Sequence, residues 1–225
     1  MDALKKGALI SYNEVQDFNK ALMFYDKIIV ASSDDQTTFD AFKGIMQSAY
    51  RIGDYDKAIS YTQKVSNHVL ANKEDKTIAS YYTGKISLEK NMPDQAIAAF
   101  NEVIKNNSGV YAAESSYLIS KIFYDKGQLD QAEQQCKTTN TTSGNYPYWI
   151  ARSLLLMSDI YIDKKDLYNA RAATEAVIEN FQKDEEILAE ANVKLTEIKE
   201  LENDSSRIQT EEKDGLLKLD QGNNE

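Results

Sequence analysis

A chain of 225 residues with 42% hydrophobic and 28% charged side chains carries enough apolar material for a core, which sets it among ordinary globular proteins rather than disordered ones. Two prolines and nine glycines are too few to turn the corners of a many-stranded β protein, and the fold class this deficit points to is all-α. The net charge of −10 is gathered at one end, with 13 acids against 6 bases in residues 183–225 and 23 against 20 before them, so no basic stripe is offered to nucleic acid.

In chain order, a first helix near Ala3 to Tyr12 meets a polar corner at Gln16-Asp17-Phe18-Asn19-Lys20-Ala21, after which Ala21, Tyr25, Ile28 and Ile29 line one face of a second helix. Phe42, Ile45, Met46 and Ala49 mark the next first helix, which reaches the corner Gly53-Asp54-Tyr55-Asp56-Lys57-Ala58. Tyr82 and Ile86 precede Asn91-Met92-Pro93-Asp94-Gln95-Ala96, and Phe100, Val103 and Ile104 follow it. Leu118, Ile119, Ile122 and Phe123 lead to Gly127-Gln128-Leu129-Asp130-Gln131-Ala132. Leu154, Met157, Ser158 and Tyr161 lead to Lys165-Asp166-Leu167-Tyr168-Asn169-Ala170, with Thr174, Val177 and Ile178 beyond.

The corner alanines stand 37, 38, 36 and 38 residues apart, and a period of this kind marks a repeat array. Two helices joined by so short a turn run antiparallel. Alanine at the start of each second helix, and Gly84, Ser120 or Ser158 in the first, let the backbones approach closely. Pro93 opens its helix where a missing N–H costs nothing, and Asp54 and Asp94 suit a positive helix end.

The spacing of Gly84, Ala96 and Phe100, with the Gly53-to-Ala58 corner, resembles the tetratricopeptide repeat signature over roughly residues 2–182. The resemblance implies a right-handed α-α superhelix, a solenoid of about five hairpins. Its departures are the long period, Leu9 and Met46 in place of the small residue, and Thr62, Cys136 and Thr174 in place of the aromatic. Longer-period relatives are common in bacteria, cell-envelope accessory proteins among them, which leaves the compartment open.

Thr138 to Pro147 is rich in β-branched and turn residues, so the fourth second helix is expected to end near Cys136 or Lys137. A helix over 184–202, with Ile187, Leu188, Ala191, Leu195, Ile198 and Leu201 on one side, is expected to cap the repeats. The domain expectation is therefore a repeat domain over 1–202 and an acidic, flexible tail over 203–225 with a short apolar patch at Leu216, Leu217 and Leu219. No matching cap precedes the first helix, so the chain is expected to self-associate through its ends or to stack on further repeats of a longer protein.

Stacked hairpins expose their first helices on one side, and that groove is the expected site for a peptide or protein partner. The repeat register places Lys43, Gln47, Tyr50, Arg51, Tyr81, Lys85, Tyr117, Lys121, Tyr124, Arg152 and Asp159 along it. Tyrosines mixed with lysines would give apolar contact and orient carboxylates, or else the tyrosines pack between repeats. The Lys/Asn/Lys/Arg set that grips a C-terminal carboxylate in some tetratricopeptide domains is not reproduced, since Ile10, Ile78 and Tyr81 occupy positions where polar donors are wanted.

Catalytic chemistry has little to work with. His68 is the one histidine and Cys136 the one cysteine, too few for a zinc site, and no glycine-rich phosphate loop occurs. The chain reads as a non-enzymatic scaffold without metal or cofactor. No apolar run reaches the ~20 residues of a bilayer crossing, so membrane insertion is not expected.

Overall fold

The computed structural model describes residues 1–106 and 109–222, with side chains described as far as 204 and at 207. Eleven helices are present among them: α1 (Asp2–Asn13), α2 (Phe18–Ala31), α3 (Asp35–Arg51), α4 (Tyr55–Asn67), α5 (Lys73–Glu89), α6 (Pro93–Lys105), α7 (Gly109–Asp125), α8 (Leu129–Thr142), α9 (Pro147–Asp163), α10 (Leu167–Asn180) and α11 (Glu185–Gly222). The chain divides into two compact units, residues 1–119 and 120–225, with the boundary inside α7.

In the first unit each helix from α1 to α6 packs on the next, and α3 also meets α5. In the second, α8, α9, α10 and α11 pack in succession, and α9 also meets α11. The five corner alanines, Ala21, Ala58, Ala96, Ala132 and Ala170, are fully buried, as close helix approach requires. The buried apolar residues gather in small cores, among them Ala49, Ala58 and Ile86; Ala8, Ile28 and Ala41; Phe39, Met46, Val65 and Ala79; and Ala151, Leu155, Val177, Ile187 and Ala191.

The corners share one backbone device. Each first helix ends in a left-handed residue, namely Gln16, Gly53, Asn91, Gly127 and Lys165, with φ of 56°, 79°, 55°, 69° and 60°. The following N–H then donates across the helix end, from Asp17 to Ser11, Asp54 to Ala49, Met92 to Ser87, Gln128 to Phe123 and Asp166 to Tyr161, all at 2.8–2.9 Å. This closure satisfies carbonyls that the helix leaves open and turns the chain at once into the next helix. Asp17, Asp54 and Asp166 then cap the second helices by accepting from the backbone N–H of Lys20, Lys57 and Asn169. At the third corner the cap residue is Met92, without a side-chain bond, and Pro93 fills the first helical position.

Two boundaries differ from those read in the sequence. Helix α8 runs to Thr142, past the expected end near Cys136, because this turn is packed into the fold, with Thr139 fully buried and Asn140 bonded to Met157 of α9, and packing outweighs weak helix propensity; the hydroxyls of Thr138, Thr139, Thr141 and Thr142 are satisfied by carbonyls one turn earlier. Helix α11 begins after Asp184, which accepts from the Ile187 N–H, and continues past residue 202 to Gly222. The Leu216, Leu217 and Leu219 patch lies outside the residues whose side chains are described.

The small residues of the first helices also differ from expectation. Gly44, two positions before Met46, faces back to α2 of the preceding hairpin, where a Cβ would lie 2.2 Å from the Tyr25 ring; Gly7, two positions before Leu9, makes the close approach within its own hairpin, where a Cβ would lie 2.9 Å from Phe24. Gly84 faces Phe100 in the same way, at 2.5 Å. Where threonine or cysteine replaces the aromatic, hydroxyls take over. Thr174 donates to Ser158 at 2.8 Å, Ser158 donates to the Ala170 carbonyl at 3.0 Å, and Ser153 donates to the Cys136 carbonyl at 3.2 Å.

Candidate protein-binding face

In residues 1–119 the first helices α1, α3, α5 and α7 send Tyr12, Tyr50, Tyr82 and Tyr111 toward one another. The Tyr50 ring meets Tyr82 edge-on at 5.3 Å and Tyr55 at 6.0 Å. Tyr81 meets Tyr82 at 5.5 Å and Tyr111 at 4.7 Å, and the Tyr82 hydroxyl is paired with that of Tyr12. Tyr81 is 8% exposed, whereas Tyr50, Tyr55, Tyr82 and Tyr111 are half-buried and keep part of each ring at the surface. The chain places these rings by helical spacing: Tyr81 and Tyr82 sit two turns into α5, Tyr50 on the last turn of α3 and Tyr111 on the first of α7.

Burial pushes the hydroxyls up in pKa, and the neighbouring carboxylates add to it. Tyr50 is pushed up to about 12 by burial and then by the charges of Glu89 and Glu114. Tyr81 rises through burial and through the charge and hydrogen bond of Glu114, and Tyr82 through burial and its tyrosine neighbours. Every one of these hydroxyls is therefore neutral at physiological pH. The face is one of π surfaces and neutral O–H groups edged by carboxylates.

The cations expected to line this face are held in place by their own surroundings. Lys43 lies 2.9 Å from Asp40 and 3.4 Å from Asp75, over the Phe39 ring. Lys85 donates to Glu114 at 2.9 Å, and Arg51, exposed, stacks 4.5 Å from the Phe18 ring centroid. Gln47 is half-buried on α3, and Tyr117 is 8% exposed.

The remaining expected residues fall in the second unit. Lys121 pairs with Asp125 at 2.6 Å, and Tyr124 is pushed up to about 12 by burial and by its hydrogen bond and charge contact with Asp163. Arg152 and Asp159, both on α9, bind Glu190 and Lys194 of α11. These two therefore tie the first-helix face of α9 to α11, a partner within the chain that the repeat register does not reveal.

Sequence reasoning missed Tyr12, Tyr55, Tyr82 and Tyr111 as members of one cluster, and missed Glu89 and Glu114. Glu114 was within reach, since Glu114, Tyr117, Lys121 and Tyr124 follow the three-and-four spacing of one helix face. Tyr82 was assigned to the packing face, and it does touch the core around Phe39 and Met46 while its edge reaches Tyr50.

Of the other features singled out in the sequence, His68 ends α4 and stacks on Phe39 at 4.6 Å, and Cys136 is fully buried, which pushes its thiol up. Trp149 is half-buried, with Tyr148 edge-on at 4.9 Å. Among the described residues no cluster of histidine, cysteine and carboxylates could hold a metal ion, and no helix is long and apolar enough to cross a membrane. Leu9, Ile10, Met23 and Val30 of the first hairpin are exposed, Val30 almost completely.

A family model for the tetratricopeptide repeat matches residues 79–109, the stretch that holds Tyr81, Tyr82, Gly84, Lys85 and Phe100. Residues 79–109 thus carry a tetratricopeptide repeat, and the helical hairpins around them share the fold of tetratricopeptide repeat proteins. Solved structures of such proteins match along most of the chain. MamA aligns at a TM-score of 0.61 with 19% identity, over 81% of this chain and 92% of its own. YrrB, described as a TPR protein with an unusual peptide-binding site, aligns at 0.57 with 19% identity, over 84% and 89%. BtubC from P. vanneervenii aligns at 0.63 with 14% identity, over 92% and 87%. These likenesses show the fold, an all-α helical repeat. No curated protein matches the chain in sequence.

Proposed function

We propose that this protein is a non-catalytic interaction scaffold that takes an extended peptide segment of a partner on the tyrosine face of α1, α3, α5 and α7. The observation that carries the reading is the convergence of half-buried rings from successive first helices, Tyr50, Tyr82 and Tyr111, edged by Glu89 and Glu114. A solenoid core needs large side chains between repeats, and Tyr81 and Tyr117 meet that need; it does not need partly exposed rings gathered on one side. Rings with two rotatable bonds give contact area at small entropic cost, as binding surfaces use them. The likeness to YrrB, a protein described by its peptide-binding site, supports the same reading.

The test is selection of a random displayed peptide library on the full chain, followed by competition with a Tyr50→Ala/Tyr82→Ala variant whose helix content and cooperative melting are confirmed. The expected result is a family of peptides that bind the parent and lose at least tenfold in affinity for the folded variant, roughly 1.4 kcal/mol. Peptides that bind both proteins equally, or an unenriched library, would overturn the reading.

A further inference from the structure

We infer that the tyrosine face of residues 1–119 selects a peptide carrying a cationic side chain, arginine or lysine, seated against Tyr50 and Tyr82 with Glu89 as its counter-charge. The inference rests on the scaffold reading above and adds the chemistry of the ligand.

The first observation is the state of the protein's own cations. Lys43, Lys85 and Lys90 are engaged by Asp40 and Asp75, by Glu114 and by Asp56, and Arg51 lies over the Phe18 ring. None of the three lysines presents a free positive charge to an acidic guest. The expectation from sequence that lysines here would orient a partner's carboxylates is thereby turned round.

The second observation is the carboxylate left over. Glu89 is exposed on the last turn of α5, and among the described residues no lysine, arginine or histidine is paired with it. Its neighbours are rings: it meets the Tyr55 hydroxyl, and its charge raises both Tyr55 and Tyr50. A carboxylate at the rim of two rings, Tyr55 and Tyr50, with neutral hydroxyls around it, adds negative potential beside π surfaces.

That combination attracts a cation twice, through the ring quadrupoles and through the carboxylate, and repels an acidic side chain twice. A guanidinium or ammonium also finds acceptors in the Tyr50 and Tyr55 hydroxyl oxygens.

The experiment is fluorescence anisotropy on the full chain with a labelled nine-residue peptide, arginine at every third position in a Gly-Ser background, beside a twin in which neutral citrulline replaces each arginine. The expected result is binding of the arginine peptide at least tenfold tighter than the twin, a margin that shrinks in Glu89→Gln, collapses in Tyr50→Leu and is retained in Tyr50→Phe. Retention in Tyr50→Phe separates a ring contact from loss of folding, and Glu89 is exposed enough that its amide leaves the fold intact. Equal binding of the two peptides, or an arginine preference unchanged in Glu89→Gln and Tyr50→Leu, overturns the inference. Library selection distinguishes this failure from failure of the scaffold reading, because face-dependent peptides without basic enrichment leave a peptide scaffold that does not select cations.

Discussion

At the scale of single residues, the repeats solve one packing problem in two ways. A large ring packs closely where the facing helix has no Cβ, as Phe100 does against Gly84 within a hairpin and Tyr25 against Gly44 of the next hairpin. Where the ring is absent, two short hydroxyl side chains fill and satisfy the same space, as Ser158 and Thr174 do. The glycines of α3 and α5 are therefore constrained by close contact and not by backbone conformation. Gly44→Ala is expected to destabilise the protein by about 1–3 kcal/mol, because the new methyl would sit inside the Tyr25 ring and force it off its rotamer. Urea unfolding of the single mutant checks this. A double mutant Gly44→Ala/Tyr25→Leu should recover part of the loss, which a helix-propensity effect would not predict, since alanine is the better helix former.

At the scale of the element, the five corners are variations on one closure, and they differ in how well the residue suits the left-handed conformation. Glycine takes it without steric cost at Gly53 and Gly127, and Asn91 takes it more readily than most side chains. Gln16 and Lys165 hold it against a Cβ clash. Lys165 is exposed on its loop, so Lys165→Gly removes the strain without removing a packed side chain. The expected gain is about 1 kcal/mol, or roughly 2–4 °C in Tm for a chain of this size. A thermal melt that shows no gain, or a loss, would mean that the closing bond from Asp166 to Tyr161 and the Asp166 cap already over-determine the turn.

At the scale of the whole molecule, much of the aromatic content works as buried hydroxyl. Tyr25, Tyr50, Tyr81, Tyr82 and Tyr111 all have raised pKa values in the first unit, with burial the leading cause in each, and Tyr124 and Tyr161 behave likewise in the second. Each folded-state pKa lies above the unfolded value near 10, so the contribution to stability is complete below pH 10 and is lost as pH rises toward about 12 and beyond. Alkaline titration should therefore show tyrosinate absorbance at 295 nm in two phases: exposed tyrosines near pH 10, then the rest together with the loss of helical circular dichroism. A single phase near pH 10 with the helices intact would contradict the burial of these rings.

The sequence alone determined what repeats. The alanine period, the polar corners and the helical spacing of apolar residues are local quantities, written in the order of residues, and they suffice for an all-α array of antiparallel hairpins. Local rules missed the end of α8, since burial of Thr139 and the contact of Asn140 with Met157 of α9 offset low helix propensity and no composition count contains them. The repeat register placed Tyr50, Tyr81 and Lys85 on first helices, where α3 and α5 carry them, yet it could not say which charge beside them was already spent. Only tertiary structure decided that Lys85 belongs to Glu114, 29 residues away, that Asp159 belongs to Lys194, 35 away, and that Glu89 stands beside Tyr55 and Tyr50 with no base paired to it among the described residues. An ion pair between helices depends on distances across the fold, which a linear pattern does not carry, and that is the physical reason the proposed guest is cationic and not acidic.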